Sequence, residues 1–223
     1  MNSLSPREAY RLWAPVYAAE NALTTLEDAA VRDVTPCLAG RTLLDVGCGT
    51  GRRMLAADPP PQRSIGVDLV LDMLTAGDAA EASALLIAGD VRALPLAEDA
   101  FHVVWCRLVL GHLPALDVAY RELARVASDG ATLIVTDFHP AAAAAGHTRT
   151  FRDGAGVLHA VEHHAHSAER HVAVAARAGW TLVVQREPAV GPDVRAFYER
   201  AGLTGRYEAQ LGLPLVLLLA FER

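Results

Sequence analysis

The sequence predicts an α/β fold built on a mostly parallel, seven-stranded sheet with helices on both faces. Three observations support it. From residue 42 onward, apolar strand-like runs alternate with helical segments. Most of these runs are continuous rather than alternating, which is typical of strands covered on both sides. Turn-forming or acidic residues follow the first runs. Strand–helix alternation of this kind implies right-handed crossovers between parallel strands.

The predicted strands and helices follow one another from residue 42 to the end of the chain. The strands are expected at 42–47, 64–68, 84–89, 102–106, 131–138, 180–185 and 213–221. The helices are expected at 51–57, 69–80, 114–127 and 167–178. The third helix has apolar residues at helical spacing, and Gly130 after it favours a C-terminal stop.

Two parts lie outside this alternation. Residues 1–40 lack strand signals and predict helices over SPREAYRLWAPVY and NALTTLEDAAVRDVTPCL. Residues 139–166 begin with an alanine run, and Asp153-Gly154 between two short runs predicts a β-hairpin. We expect one domain over 1–223, with a helical lid at 1–40, a core at 41–140, a cap insertion at 141–166 and the rest of the sheet at 167–223.

Composition narrows the class of protein. The formal charge of −6 and the scattered arginines argue against a nucleic-acid binder, which would carry a basic stripe. Three cysteines without a CxxC pair favour a reducing cytoplasm. The N-terminus lacks a signal-peptide pattern. The most apolar stretch, 211–221, is too short to span a bilayer and contains Pro214. We therefore expect a cytoplasmic protein with a small-molecule partner and no membrane contact.

A glycine-rich turn follows the first strand, in the sequence LLDVGCGTG at 43–51. Asp45 ends the strand, and glycines at alternate positions let the backbone turn tightly and approach a ligand. A dinucleotide fingerprint needs GxGxxG, but the position of its third glycine is Arg52. The spacing here is GxGxG. This departure weakens a nicotinamide-binding interpretation.

Acids also end the next two strands, at Asp68 and at Gly89-Asp90. Ligands of open parallel sheets bind beyond the carboxyl ends of the strands. Carboxylates at Asp45, Asp68 and Asp90 would suit a ligand with hydroxyl and amino groups, and they would repel a pyrophosphate. The acid after the third strand is therefore a second argument against a nicotinamide-dependent oxidoreductase.

Five segments together carry a family resemblance: LLDVGCGTG, GVDLVLDML, GDVRALPL, FHVVWCRLVLGHLP and RELARVASDGATLIVTDFHP. In this order they resemble the motifs of class I S-adenosylmethionine-dependent methyltransferases, especially small-molecule enzymes like those of the ubiquinone/menaquinone and biotin pathways. The resemblance covers about residues 41–140. It implies a Rossmann-like sheet whose last strand is antiparallel, S-adenosylmethionine as cofactor, and methylation of a metabolite at O, N or C.

The resemblance also implies which residues bind the cofactor. Asp45 and the backbone of Gly47, Cys48 and Gly49 would hold its methionine portion. Asp68 would bind the ribose, with Leu69 and Met73 beside the adenosine. Asp90 would bind the adenine amine, with Val91 beside the ring. The backbone around Cys106, Arg107 and Leu108 would receive the methionyl amino group. Many relatives have His-His where this chain has Gly111-His112, so a role for the first histidine is expected to be absent.

Candidate catalytic groups are the histidines of the crevice, because a general base assists transfer to a hydroxyl, thiol or amine. His139 follows the fifth strand directly and is expected to point into the crevice. His112 lies in the same mouth; the alternative for it is capping or packing. The Arg107 side chain either pairs with an anionic acceptor or stays solvated.

Candidate acceptor-binding residues lie on the lid and on the hairpin. Tyr10, Trp13 and Tyr17 form an aromatic stripe on the first helix, which either packs the helix or touches the ligands. In HAVEHHAHS, alternation puts the histidines on two strand faces, which argues against a metal site. We expect His163 and His166 to face the acceptor instead. Phe197 and Tyr198 are further candidates to contribute to the acceptor pocket.

Two competing functions remain at this point: a relative that binds S-adenosylmethionine without methylating, and the less favoured nicotinamide-dependent oxidoreductase. Nothing in the sequence decides between a monomer and a homodimer.

Overall fold

The computed structural model describes residues 3–17, 21–77 and 85–223. The strands, numbered in chain order, are β1 (Ser3–Leu4), β2 (Thr42–Val46), β3 (Arg63–Asp68), β4 (Leu85–Ala88), β5 (Phe101–Arg107), β6 (Ala127–Phe138), β7 (Thr150–Arg152), β8 (Leu158–Val161), β9 (Thr181–Arg186) and β10 (Val216–Glu222). The helices are α1 (Pro6–Trp13), α2 (Ala22–Val34), α3 (Arg52–Leu55), α4 (Leu71–Thr75), α5 (Asp117–Val126), α6 (Pro140–Ala144), α7 (Ala168–Arg177), α8 (Arg195–Arg200) and α9 (Thr204–Gln210).

The main sheet has seven strands in the order β4-β3-β2-β5-β6-β10-β9. The pairs from β4 to β6 are parallel, and β10 runs antiparallel to both β6 and β9. The predicted fold class, including the antiparallel last strand, is confirmed. The chain order reverses beside β2, so the crevice beyond the ends of β2 and β5 is where a ligand site is expected.

Both faces of the sheet are covered, as the continuous apolar runs predicted. The adjacent residues Leu43 and Leu44 are both fully buried. Leu44 packs with Val104 in the larger cluster, while Leu43 packs with Val103 in the cluster on the opposite face. Successive side chains of a strand point to opposite faces, so neither side of β2 meets solvent.

Some predicted boundaries shift. The helix predicted over 69–80 is α4, which ends at Thr75, and its last predicted residues lie outside the described ranges, as does the start of the strand predicted at 84. Gly130 is not a helix stop: α5 ends at Val126, and β6 begins at once at Ala127. Gly130 lies inside β6 with φ +71°, beside an irregular register between β5 and β6.

The cap over the crevice is a second sheet of three strands, in the order β1-β8-β7. β7 and β8 form the predicted hairpin, with Asp153 Oδ1 accepting from the backbone N–H groups of Ala155 and Val157. β1 pairs parallel with β8, so the N-terminal segment is tied to the hairpin. The expectation of no strand in 1–40 is wrong, because two residues are too few to show a pattern.

The lid helices begin at capping boxes. Ser5 and Glu8 exchange hydrogen bonds at the start of α1, and Asn21 and Thr24 do the same for α2. α1 packs on the hairpin: its Ala9 is buried with Phe151 and Val161. The lid and the hairpin therefore form one packed unit above the strand ends. No helix in the described ranges is long and apolar enough to cross a membrane.

Candidate functional site

A cavity of about 200 Å³ lies beyond the carboxyl ends of β2, β3, β4 and β5. We call it the strand-end cavity. Many of the residues predicted to bind a cofactor line it: Gly47, Gly49, Asp68, Leu69, Met73, Asp90, Val91, Arg107 and Leu108. They come from separate segments of the chain and meet here because parallel strands end at the same edge of the sheet.

The glycine turn needs glycine for two reasons. Gly47 has φ +73° and Gly49 φ +57°, a left-handed conformation that side chains disfavour. A Cβ on Gly47 would also overlap the side chain of Val109. The backbone N–H groups of Gly47 and Cys48 donate to the carbonyl of Val67, at 2.7 and 3.1 Å, and so anchor the turn to β3.

Asp45 lies in β2, two residues before Gly47, and is 1% exposed; it does not itself line the strand-end cavity. Neither of its carboxylate oxygens has a hydrogen-bond partner among the described residues. Burial raises the pKa of Asp45 to about 6. An unpaired buried carboxylate is costly, and a positive charge or N–H donor close to it would remove the cost. The chemistry of this position therefore suits a cationic group.

The other two acids differ in their partners. Asp68 Oδ2 accepts from the N–H of Gly49 at 2.8 Å and Oδ1 from the N–H of Val70 at 2.9 Å, so Asp68 braces the glycine turn. Burial raises the pKa of Asp68. Asp90 instead pairs with Arg92 at 2.6 Å, and this hydrogen bond lowers the pKa of Asp90. Arg92 also lines the cavity, so a ligand amine would share Asp90 with it.

Two cysteines predicted at the site, Cys48 and Cys106, have buried side chains and do not line the cavity. Burial raises the pKa of both thiols. Only their backbone can take part, as the resemblance implied. Leu108, two residues after Cys106, has φ +58°, a conformation that non-glycine residues rarely adopt. Its N–H donates to Thr136, which holds this strained turn in place.

The side chain of Arg107 is a correction. It is neither solvated nor available to an anionic acceptor, because the residue is 5% exposed and bonds Glu27 at 2.8 and 2.7 Å. Asp28 also pairs with it. Arg53 pairs with both acids, at 3.2 Å each. These four residues tie the lid helix α2 to the strand ends. Sequence reasoning missed the network because its partners lie far apart in the chain.

His112 lines the strand-end cavity, as predicted. Its Nδ1 lies 3.1 Å from the carbonyl oxygen of Glu162, which only accepts, so Nδ1 carries the proton. Nε2 then accepts from the hydroxyl of Tyr10 at 3.1 Å. Burial, with Arg149 close by, lowers the pKa of His112 to about 3. The ring is therefore neutral at pH 7, with its lone pair on the Tyr10 side.

The remaining predicted histidines do not line the strand-end cavity. The ring of His139 caps α6, with Nδ1 accepting from the N–H of Ala141 at 3.0 Å, and it does not line the strand-end cavity. The expectation that it points into the crevice is wrong. His163 bonds Asp137 at 3.2 Å, and His166 bonds the carbonyl of Leu113 at 2.8 Å. Both lie after β8, and neither lines the strand-end cavity.

His163 occupies space that Gly111 leaves open. A Cβ on Gly111 would lie 2.7 Å from Cε1 of His163 and closer still to Nε2 and to Asp137 Oδ1. The space beside Gly111 is thus filled by the imidazole of His163, from the segment that follows β8. Asp137 is 1% exposed, and although burial acts to raise its pKa, the hydrogen bond from His163 and the imidazole of His171, 3.5 Å away, hold that pKa well below its usual range.

The prediction that Tyr10, Trp13 and Tyr17 lie on one helix is corrected, because α1 ends at Trp13 and Tyr17 follows a short 3₁₀ helix over 14–16; together the three rings border the strand-end cavity and a neighbouring one. Tyr10 and Tyr17 line the strand-end cavity. Trp13 stacks between Tyr10, at 5.6 Å, and Phe151, at 4.8 Å. Trp13 and Tyr17 line the second cavity, which we call the lid cavity. The stripe therefore packs the helix and borders ligand space at once.

The lid cavity lies between the lid, β6 and α8, with a volume of about 300 Å³. Tyr198, pointed to by the sequence, lines it, but Phe197 does not. His147 and Arg149 also line it and were missed by sequence reasoning. The only signal was the segment HTRT between the alanine run and the hairpin. The described residues include no group of three or more side chains able to hold a metal ion.

Known proteins match the part of the chain that contains the strand-end residues. A family model for the methyltransferase domain matches residues 44–135. The 27-O-demethylrifamycin SV methyltransferase of Amycolatopsis mediterranei is 30% identical over 191 residues, covering 73% of this chain and 70% of that protein. The demethylmenaquinone methyltransferase of Roseiflexus sp. is 35% identical over 130 residues, 54% of each chain. The chain matches about half the length of several such relatives.

Solved structures share the fold at low identity. An S-adenosylmethionine-dependent methyltransferase from Mesorhizobium loti superimposes with a TM-score of 0.68 at 19% identity, over 89% of this chain and 98% of that one. The [4+2]-cyclase SpnF superimposes with a TM-score of 0.69 at 18% identity, over 100% and 97%. At these identities the likeness concerns the fold alone.

Proposed function

We propose that this chain, which belongs to the class I S-adenosylmethionine-dependent methyltransferases, transfers a methyl group to an O, N or C atom of a small-molecule acceptor. One observation carries the proposal: the unpartnered, buried carboxylate of Asp45 comes just before a glycine turn in the chain, with Asp68 and Asp90 at the next two strand ends. This arrangement suits a ligand with a cationic amino acid end, a diol and an exocyclic amine.

The residues present fit the cofactor. Asp45 and the backbone of Gly47 and Gly49 would hold its methionine end, where the buried acid lacks a partner. Asp68 would bind the ribose hydroxyls, and Asp90 the adenine amine. Apolar contacts for the adenosine would come from residues that line the cavity: Leu69, Met73 and Val91. The backbone at 106–108 would accept the amino group. When bound, S-adenosylmethionine supplies an electrophilic methyl group on its sulfonium sulfur.

The chain's own residues would orient the acceptor and exclude water, which are the main requirements of such a displacement. Tyr10 and Tyr17 cover the strand-end cavity from the lid. His112 is neutral and lines the cavity, and the lone pair of its Nε2 accepts from the Tyr10 hydroxyl. We propose His112 as the group that takes a proton from the acceptor. His139 is not proposed again, because its ring caps α6.

A binding experiment tests the cofactor half. Isothermal titration with S-adenosylhomocysteine should show binding to the wild type and at least tenfold weaker binding to Asp68→Asn, because charge-assisted hydrogen bonds to the ribose are lost. Asp72→Asn is the matched control, since it removes the same charge from an exposed position on the adjacent helix. No binding by the wild type, or equal binding by Asp68→Asn, overturns the proposal.

A second candidate is a relative that binds the cofactor without methylating, since SpnF, a cyclase, shares this fold. Release of S-adenosylhomocysteine with a panel of acceptors separates the two: methyl transfer releases it, and a binding protein does not. We further propose that the protein acts in the cytoplasm on a small molecule. The described cysteines are all free, which supports a reducing compartment.

A further inference from the structure

The lid cavity adjoins the strand-end cavity. Tyr17, Leu108 and Arg149 line both, so the two spaces meet at these side chains. A group bound in the lid cavity would lie next to a cofactor bound beyond the strand ends. If the proposed function holds, the lid cavity is the acceptor site, and its chemistry describes the acceptor.

About half of the described residues that line the lid cavity are aromatic or apolar, and the polar ones include Arg52 besides Arg149. The aromatic and apolar ones include Trp13, Tyr17, Phe138, Tyr198 and Leu215. Of the described residues that line it, none is an aspartate or glutamate. Flat aromatic walls favour a ligand with a flat apolar body. Because none of these described residues is an acid, no carboxylate among them neutralises the positive charge of Arg149, and that charge can attract an anionic ligand.

Arg149 supplies an unsatisfied cation at the junction of the two cavities. Its Nη2 donates to the hydroxyl of Tyr10 at 3.0 Å. Its Nη1 is buried and has no hydrogen-bond partner in the described part of the chain. Arg149 also forms no ion pair there. A buried guanidinium N–H left unpaired costs free energy, which an anionic acceptor would recover.

His147, two residues before Arg149, adds a second unsatisfied group. Its Nε2 is buried without a hydrogen-bond partner among the described residues, and the side chain lines the lid cavity. Burial, and then Arg206, lowers the pKa of His147. A neutral imidazole can donate from one ring nitrogen without adding charge.

From these contacts we propose that Arg149 and His147 form an anion-recognition subsite of the lid cavity, which selects acceptors with a flat apolar body and a carboxylate. That the ligand of this subsite is the methyl acceptor rests on the proposed function. Binding of a carboxylate at the subsite does not depend on it. Arg149 supplies the charge and a hydrogen bond from Nη1, and His147 a second polar contact. The aromatic walls hold the apolar body.

A pair of matched probes tests the subsite on the full chain. Isothermal titration compares 2-naphthoate with 2-naphthamide, which has nearly the same shape and no charge, with and without saturating S-adenosylhomocysteine. We expect the wild type to prefer 2-naphthoate by at least tenfold, because a charge-assisted hydrogen bond is replaced by a neutral one. His147→Asn should weaken 2-naphthoate binding by a smaller factor.

Substitutions assign the preference to Arg149. Arg149→Gln should abolish it and leave the affinity for 2-naphthamide within about threefold. Arg152→Gln is the matched control, because it removes the same charge from the exposed side of β7, where Arg152 bonds the carbonyl of Gly156. Tyr10→Phe removes the hydrogen bond to Arg149 but keeps its charge, so the preference should persist. Circular dichroism spectra like that of the wild type show that each variant is folded.

Each outcome decides the question. Equal affinities in the wild type, binding of neither probe, or a preference that survives in Arg149→Gln overturns the subsite. Failure of S-adenosylhomocysteine to bind, with the preference for 2-naphthoate intact, overturns the proposed function and leaves the subsite standing. Normal S-adenosylhomocysteine binding without a preference for 2-naphthoate overturns the subsite and leaves the proposed function standing.

Discussion

Replacing Glu27 by glutamine should destabilise the protein by about 3 kcal/mol at pH 7. Glu27 is fully buried and bonds Arg107 at 2.8 and 2.7 Å and the hydroxyl of Thr136 at 2.7 Å. Arg53 pairs with it at 3.2 Å. Glutamine keeps the size of the side chain but removes its charge, which leaves the buried guanidinium of Arg107 with Asp28 as its one remaining acid among the described residues.

Two routes give this magnitude. Burial acts to raise the pKa of Glu27, but Arg53 and Arg107 outweigh it and lower the pKa from 4.5 to about 2. At about 1.4 kcal/mol per pKa unit, the lowered pKa corresponds to about 3 kcal/mol. Breaking a buried ion pair independently costs about 3–5 kcal/mol. The expected destabilisation lies at the low end of this range because Asp28 still pairs with Arg107 in the variant.

The pH dependence has a definite sign. The folded pKa lies below the unfolded one, so the stabilisation is complete above about pH 5.5 and is lost as the pH falls from 4.5 toward 2. The difference between wild type and Glu27→Gln should therefore shrink from about 3 kcal/mol at pH 7 to about 1.4 kcal/mol at pH 3.

Urea unfolding followed by circular dichroism measures this difference, and urea is chosen because it adds no ions that would screen the pairs. Asp33→Asn is the control: it lies exposed on the same helix and should change the free energy of unfolding by no more than about 0.5 kcal/mol. A loss below about 1 kcal/mol at pH 7, or a difference that does not change between pH 7 and 3, would show that the Glu27 ion pairs do not stabilise the fold in this way.

Three further predictions test the site. Gly111→Ala should cost about 1–3 kcal/mol, because the added methyl meets His163; Gly154→Ala, with open space around it, is the control, and equal stabilities would contradict the packing. Binding of S-adenosylmethionine at pH 6 should release up to about half a proton, because Asp45, with a pKa of about 6, is about half protonated there and a nearby cation lowers that pKa; titration in two buffers of different ionisation enthalpy measures the release, and no release counts against Asp45. Only Cys37, the exposed thiol, should react with a disulfide reagent before unfolding; a second fast equivalent is the contrary result.

Much of the fold follows from local patterns. Every predicted strand from residue 42 onward is present in the described structure within a few residues, because a strand buried on both faces needs an unbroken apolar run. The glycine turn and the acids near the carboxyl ends of β2 and β3 were also readable, since a tight turn and a strand end are local events. These features alone indicated the cofactor-binding edge of the sheet.

The lid, the hairpin and the acceptor side were decided by contacts between distant residues. β1 is two residues long and exists because β8 lies beside it. His163 is buried against Asp137 because Gly111 leaves room, and no spacing in the sequence encodes that room. His139 follows a strand end like Asp68 but turns to cap a helix.

Local sequence is therefore enough to predict the sheet, the glycine turn and the acids at the edge of the sheet, because these depend on neighbours a few residues away. Tertiary structure alone decided that Arg107 is paired with Glu27 and that Arg149 keeps a free N–H beside the lid cavity. Both residues are arginines, but the guanidinium of one is paired with acids and that of the other has an unpaired N–H. The difference lies in which acids the fold brings within reach, and that is a property of packing across the whole chain.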